Sequence, residues 1–223
     1  FDLSNCLVCH NPVIYSHKMA TAKKDVNHPF FESSEPIIIS AGRLSPVKNY
    51  ALLLEAFRQV RAYRPAKLLI LGSGEQRAVL EQRAREMGVE AEVSFVGFVR
   101  YPLAYMKRAS VFALSSCSEA FGLAVVEALA VGLPVVSTNT AGPRDILCNG
   151  QYGELVSIGD PTALSNALRR ALDRPIENRK DLKKRARDFT ADTIAKKYIS
   201  IMRADDLRTR LGGTKRENDR FST

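Results

Sequence analysis

From residue 36 onward, short apolar runs alternate with amphipathic stretches, and the alternation predicts a layered fold. Ile37-Ile38-Ile39 is a continuous apolar run, as expected of a strand covered on both faces. Leu52, Leu53, Ala56, Phe57 and Val60 then recur at the helical period and mark one buried helix face. Residues 67–71 predict the next buried strand, closed by Gly72-Ser73-Gly74, and a polar helix over 75–87 stops at Gly88. The same reading places strands at 93–96, 110–114, 134–137 and 154–156, with helices at 102–108, 122–131, 143–147 and 161–172. Strands that alternate with helices through short loops imply right-handed crossovers and a parallel sheet with helices on both faces. The expectation is an α/β, Rossmann-like domain over 36–178, preceded by a weakly patterned, linker-like segment over 1–35. A C-terminal helix is expected over 179–207, and the polar stretch over 208–223 reads as a disordered tail. Ligands of such sheets bind at the carboxyl ends of the strands, so chemistry is expected in the strand-to-helix loops.

Composition narrows the class. At 45% hydrophobic and 26% charged residues, the 223-residue chain fits neither a disordered, a collagen-like nor a disulfide-built protein. It holds no apolar stretch near the ~18 residues a membrane span needs and opens with no basic-then-apolar leader, which predicts a cytoplasmic protein. The net charge of +9 suggests a nucleic-acid partner until it is located along the chain. From Arg179 onward there are fourteen Lys and Arg against seven Asp and Glu, which leaves only +2 for everything before. A basic tail of this kind reads first as a solvated helix face, with an anionic surface as the alternative. It lacks the interleaved aromatics of a nucleic-acid binder. Cys6, Cys9, Cys117 and Cys148 are too few and scattered for a disulfide framework, so reduced thiols are expected. Cys6-Leu7-Val8-Cys9-His10 matches the spacing of a haem attachment or half a zinc site. It lies, however, in an alternating run that reads as a strand, with no second metal-binding pair, so two small half-buried residues are expected there.

Two loops carry the candidate chemistry. After the first core strand, Gly42-Arg43-Leu44-Ser45-Pro46-Val47-Lys48-Asn49 sets two cations within one turn. Like charges so close repel unless an anion joins them, and a diphosphate would satisfy Arg as a planar fork and Lys as a point charge, with Gly42 permitting close approach. Simple solvent exposure of both is the alternative for this loop taken alone. The second loop, Ser118-Glu119-Ala120-Phe121-Gly122-Leu123, leads from a strand into a helix whose first N–H groups are unpaired and suited to a phosphate. Glu119 precedes that helix and Glu127 lies inside it, so two carboxylates flank the same seat and can accept hydrogen bonds from hydroxyls.

In this order, Gly-Arg-Leu-x-x-x-Lys-Asn at 42–49 and the Glu119-x7-Glu127 spacing resemble the retaining glycosyltransferases of the two-domain GT-B type. This is the family 4-like group that includes sucrose, trehalose-phosphate and bacterial polysaccharide or lipopolysaccharide enzymes. The likeness covers residues 36–172 and implies the C-terminal, nucleotide-sugar-binding half of a GT-B fold. It implies that Arg43 and Lys48 hold the donor diphosphate, that Glu119 contacts hydroxyls of the transferred sugar, and that Glu127 holds the ribose. It further implies backbone N–H contacts from Phe121, Gly122 and Leu123, a base pocket beside Phe98 and Val99, and a donor-site wall that includes Gly72 and Gly74. Arg77 stands where a dinucleotide fingerprint needs its third glycine, which argues against NAD. The loop Ala141-Gly142-Pro143-Arg144-Asp145 departs from the Gly-Gly-x-x-Glu-like loop common in the family.

The reaction implied is transfer of a hexose from a UDP- or GDP-sugar to a hydroxyl of a glycan or lipid-linked acceptor, with retention. No cofactor and no metal are expected, because no Asp-x-Asp motif occurs and the two cations with the helix terminus can meet the leaving charge. A regulatory module that binds nucleotide sugar without catalysis would carry the same site, whereas a glycosidase would leave Arg43 and Lys48 unexplained. Family members take most of the acceptor site and a catalytic His from an amino-terminal domain, and His10, His17 and His28 all lie in the unpatterned segment. The chain is therefore expected to be one domain of a longer protein, inactive alone. Its acceptor, and any peripheral contact with the inner face of a membrane, would be reached through the other domain, and nucleic acid is not an expected partner.

Overall fold

The computed structural model describes residues 9–173 and 179–212. A short helix α1 (Ser16–Ala20) precedes the sheet. Strands and helices then alternate as β1 (Ile37–Ala41), α2 (Tyr50–Arg61), β2 (Lys67–Leu71), α3 (Arg77–Glu86), β3 (Val93–Gly97) and α4 (Pro102–Lys107). The second half continues with β4 (Val111–Leu114), α5 (Leu123–Val131), β5 (Val135–Thr138), α6 (Ala141–Ile146), β6 (Glu154–Val156) and α7 (Pro161–Asp173), and ends with α8 (Arg179–Ala186) and α9 (Ala191–Gly212). Every strand pairing is parallel, in the order β3-β2-β1-β4-β5-β6. The chain winds outward from β1 to β3, returns to the other side of β1 as β4, and winds outward again. This is the doubly wound arrangement, and its switch point lies between β1 and β4.

The continuous apolar runs are split between two cores because strand side chains alternate in direction. Ile37, Ile39, Leu69, Leu71, Phe112 and Leu114 face a layer formed by α4, α5 and α8. Ile38, Leu68, Ile70, Val111 and Ala113 face the opposite layer of α2, α3 and α7. Burial on both faces is why no polar alternation is visible in these strands.

The single helix expected over 179–207 is two helices. A 3-10 turn over Arg187–Phe189 ends α8, Thr190 turns extended at ψ 152, and α9 starts at Ala191. Phe189 is buried in the core, and the Thr190 hydroxyl accepts the Thr193 N–H at 3.3 Å, so an aromatic anchor and a threonine cap together break the helix. The break also receives the leading segment: Val13 and Ile14 donate their N–H groups to the Phe189 carbonyl at 2.9 and 3.2 Å, and Ala191 donates to the Ile14 carbonyl at 3.1 Å. Part of the tail's positive charge is structural, since Arg185 donates to the carbonyls of Ile146 and Asp145 and lies over the Phe189 ring. The C-terminal helix also runs further than expected: residues 208–212, expected in the disordered tail, continue α9, and the rest of the 208–223 stretch lies outside the described residues.

Of the run over Cys6–His10 that reads as a strand, residues 6–8 lie outside the described residues, and Cys9 and His10 lie in irregular backbone. His10 instead bonds the Asp145 carboxylate through Nε2, with its ring against Phe121 and Phe189 at centroid distances of 5.8 and 5.4 Å. At His10 those aromatic partners and Asp145, rather than a neighbouring strand, set the course of the chain. No helix of the described residues is long and apolar enough to cross a membrane.

His28 ties the same segment to β3. Its Nδ1 accepts the Phe30 N–H at 3.1 Å, so the proton sits on Nε2, which faces the Ser94 hydroxyl at 3.0 Å. Burial lowers its pKa below the ordinary 6.5. The stability tied to neutral His28 is thus fully present above pH 6.5 and is lost as pH falls through the lowered folded value. Thermal melts at about pH 7.5 and about pH 5.5 should show a larger fall for the wild type than for His28→Asn, which keeps an acceptor for Phe30. Equal falls would remove His28 as the cause.

Candidate functional site

The site is assembled where the two arms of the sheet diverge. After β1 the chain makes a 3-10 turn over Pro46–Lys48 and enters α2 through Asn49, at φ 48. Asparagine tolerates this left-handed conformation, and its side chain caps α2 by accepting the Leu52 N–H at 3.4 Å. Ser115, buried at the end of β4, donates its hydroxyl to the Lys48 carbonyl at 2.9 Å, and the Cys117 N–H donates to the Val47 carbonyl at 2.8 Å. The loop after β1 is thereby bound to the loop after β4.

The second loop reaches α5 through Gly122 at φ 99, a conformation strained for any residue with a Cβ. Its preceding turn is held by α6, where the Gly142 N–H donates to the Glu119 carbonyl at 3.0 Å. A Cβ on Gly142 would lie 2.1 Å from the Phe121 carbonyl oxygen, so only glycine allows that approach. On the other arm, a Cβ on Gly72 would lie 2.0 Å from the Gly42 oxygen, and one on Gly74 would lie 2.3 Å from the Leu44 oxygen. The loops after β1 and β2 pack backbone to backbone there, with the Leu44 N–H on the Ser73 carbonyl at 2.9 Å.

Together these loops enclose a cavity of about 820 Å³, within the about 300–1,000 Å³ typical of small-molecule sites. Arg43, Lys48, Glu119 and Glu127 all line it. So do Gly42, Gly72 and Gly74 on one wall, Gly122 and Leu123 at the start of α5, and Phe98 and Val99 at the end of β3. Lys48 Nζ pairs with the Glu119 carboxylate, both side chains being largely buried. Arg43 stands at the rim, 73% exposed, with Nη2 3.3 Å from Glu75. Glu127, 13% exposed, receives Lys18 Nζ at 2.5 Å. Phe98 is 85% exposed, an uncovered aromatic face beside a cavity.

Phe121 is the one expected site residue that does not line the cavity. Its ring packs with His10 and Phe189, at 5.8 Å from each centroid, and anchors the loop from behind. The backbone N–H role that the resemblance implies for Phe121 is independent of where this ring lies. Arg77 is likewise a tether: it donates to the Phe95 carbonyl at 2.9 Å and to Glu81 at 2.8 Å. The stretch over 141–145, expected to be a loop, lies in α6, where Arg144 bonds Asn139 and Asp145 bonds His10.

Three neighbours of the site were missed. Glu75 follows Gly72-Ser73-Gly74 in a carboxyl-end loop and could have been found by the same rule that found Arg43. Tyr50 is buried under Gly42, with its hydroxyl 3.1 Å from where a Gly42 Cβ would be. Burial, with the nearby Glu119 charge adding and a Ser40 hydrogen bond opposing, pushes the Tyr50 phenol up to about 12, so it stays a neutral floor to the Lys48 loop. Lys18 had no signal, because its segment shows no periodicity.

Fold and site define a doubly wound α/β domain with a charged ligand cavity at its switch point. Within that class, the chain belongs to the glycosyl transferases group 1 family, whose profile matches residues 22–189. It is similar to the lipopolysaccharide core biosynthesis glycosyltransferase LpsE of Rhizobium meliloti (strain 1021), at 33% identity over 133 residues, 60% of this chain and 38% of that protein. It is also 30% identical over 173 residues to the N-acetylgalactosamine-N,N'-diacetylbacillosaminyl-diphospho-undecaprenol 4-alpha-N-acetylgalactosaminyltransferase of Campylobacter jejuni (strain ATCC 700819 / NCTC 11168), 77% of this chain and 45% of that one. The fold is shared with Anabaena HepE in complex with UDP and glucose, at a TM-score of 0.72, 20% identity, and coverage of 92% of this chain and 55% of that one. The chain spans less than half the length of either curated relative. The Rossmann-like half of a GT-B architecture implied by the loop motifs is the fold found.

The loop packing can be tested by adding a methyl group. Gly72→Ala meets both a φ of 130 and a backbone clash, whereas Gly88→Ala meets a φ of 67 in open space. Strain alone is about 1–3 kcal/mol, or roughly 2–4 °C per kcal/mol in a domain of this size. Gly72→Ala should therefore lower Tm clearly more than Gly88→Ala, and equal losses would deny the close approach its role.

Proposed function

We propose that this chain is the donor-binding half of a retaining glycosyltransferase that moves a hexose from a UDP- or GDP-sugar to a glycan or lipid-linked acceptor hydroxyl. The observation that carries the reading is the convergence of Arg43, Lys48, Glu119 and the amino end of α5 on one cavity. Lys48 pairs with Glu119 and Arg43 with Glu75. A diphosphate entering between them takes both cations as partners and sits on the unpaired N–H groups of α5. Glu119, released from Lys48, is then an acceptor for the hydroxyls of the sugar next to that phosphate. Glu127 takes the ribose hydroxyls, and Phe98 and Val99 cover the base.

In the reaction the bond from the anomeric carbon to the phosphate oxygen breaks, and negative charge grows on the departing diphosphate. Arg43, Lys48 and the α5 terminus are fixed in place before that charge develops, which is how preorganised electrostatics lowers a barrier. The acceptor oxygen bonds the same face of the carbon and passes its proton to the leaving phosphate. On this reading Glu119 orients the sugar without attacking it, and neither metal nor cofactor takes part. That the chain spans less than half of its curated relatives supports placing the acceptor site in a further domain, with any membrane contact made there.

A thermal-shift screen of the 223-residue chain against UDP, GDP, ADP and their sugar conjugates tests the proposal. At a hundredfold excess over Kd a ligand adds about 2.7 kcal/mol, which at roughly 2–4 °C per kcal/mol is a rise of about 5–11 °C. At least one nucleoside diphosphate should give such a rise, and a flat response to all of them would refute the donor site. Lys48→Ala should weaken that ligand at least about tenfold, as expected for loss of one charge-assisted contact to phosphate. Rapid sugar transfer by this chain alone would contradict its assignment as half a site.

A further inference from the structure

Glu127 is the single charged residue of α5, whose sequence is otherwise Leu, Ala and Val with most side chains buried. A carboxylate there cannot be a solvated face, and at 13% exposure it needs a partner. That partner is Lys18, which comes from α1 in the segment before the first strand, with Nζ 2.5 Å from Glu127 Oε1. Lys18 is not among the residues lining the cavity, whereas Glu127 is, so the ammonium reaches the carboxylate from outside the cavity. Its position is well supported. Met19 and Ala22 pack against the same apolar layer as α4 and α5, Val13 and Ile14 are buried further back, and Arg108 holds the Val26 carbonyl at 3.1 Å.

We infer that Lys18 is a positioning residue for nucleotide recognition: it holds one oxygen of Glu127 so that the other is presented to the vicinal hydroxyls of a ribose. The inference rests on the donor-site reading and adds to it that the ribose contact depends on a segment outside the sheet. A carboxylate that bridges two hydroxyls must keep a fixed rotamer. An ion pair on its far oxygen supplies that restraint, while a free glutamate on a helix would lose it among several rotamers. Lys18 touches no ligand in this arrangement, so its effect should follow the ribose hydroxyls and leave the phosphate contacts alone.

The test compares the affinities of the wild-type chain, Lys18→Met and Lys18→Arg for three probes: whichever of UDP, GDP or ADP the wild type binds, its 2′,3′-dideoxy counterpart, and inorganic pyrophosphate. Lys18→Met should weaken the ribonucleotide about tenfold, leave the dideoxynucleotide and pyrophosphate unchanged, and bring the ribo-to-dideoxy ratio toward one. Lys18→Arg should restore the ratio. Lys18→Met in a Glu127→Gln background should cost nothing further for the ribonucleotide. An undiminished ratio in Lys18→Met, an equal loss for all three probes, or tighter binding of the ribonucleotide would each overturn the inference. The last of these would mean that Lys18 competes with ribose. If the wild type binds none of the three nucleotides, the donor-site reading itself fails. Lys18→Met leaves the largely buried Glu127 carboxylate without its partner and should lower Tm, whereas Lys18→Arg should not. All affinities are therefore compared well below both melting temperatures, where a merely structural loss would weaken the three probes alike.

Discussion

The buried hydroxyl of Ser115 on the Lys48 carbonyl joins the two arms of the sheet at the point where they part. A doubly wound sheet opens a crevice there because its helices leave β1 and β4 toward opposite faces. The crevice becomes a defined cavity only if the loops on its two sides keep a fixed distance. The Ser115 bond, with the Cys117 N–H on Val47 beside it, sets that distance through the backbone of the cation loop. Lys48 can then face Glu119 across the gap, and the amino end of α5 can stand beside them. Every element of the proposed chemistry inherits its position from that junction.

Around the junction, backbone contact replaces side-chain packing wherever a loop must come close. Gly72 and Gly74 admit the carbonyls of Gly42 and Leu44, and Gly142 admits the Phe121 carbonyl. Such contacts are stiff, because there is no rotamer to relax. The charges are arranged differently: Lys48 with Glu119, Arg43 with Glu75 and Lys18 with Glu127 are pairs of side chains. A rigid frame that carries exchangeable ion pairs suits a site whose proposed ligand is an anion flanked by hydroxyl-rich groups. Lys48 is held largely out of solvent against Glu119 while Arg43 stands at the rim beside Glu75, and on the proposed reading Glu119 and Glu75 are the partners an entering phosphate displaces.

The periphery serves the same loop. His10 and Phe189, far apart in the chain, meet on the ring of Phe121 and fix the turn between Glu119 and Gly122 from behind. The break between α8 and α9 exists to deliver Phe189 to that cluster and to receive the backbone of Val13 and Ile14. The leading segment and the C-terminal helices are thus joined to each other and to the candidate site, although neither belongs to the sheet.

The strands, most helices and the location of the site were legible because local rules govern them. Buried strands are apolar runs, helices repeat at their own period, and ligand loops follow strand ends, so Arg43, Lys48, Glu119 and Glu127 could be picked out in one dimension. What could not be read depends on partners distant in the chain. The course of the chain at Cys9 and His10 is set by Asp145, Phe121 and Phe189, and the helix break at Thr190 by the burial of Phe189. Lys18 belongs to the site only because α1 is carried back onto α5, and Phe121 leaves the cavity only because an aromatic cluster stands behind it. By itself, then, the sequence determined the strands, most helices, their parallel arrangement and the two loops that carry the candidate residues, since each rests on neighbours along the chain. Which charges pair, which ring anchors and which segment supports Glu127 were decided by tertiary structure alone, because Coulomb and packing contacts depend on distance in space.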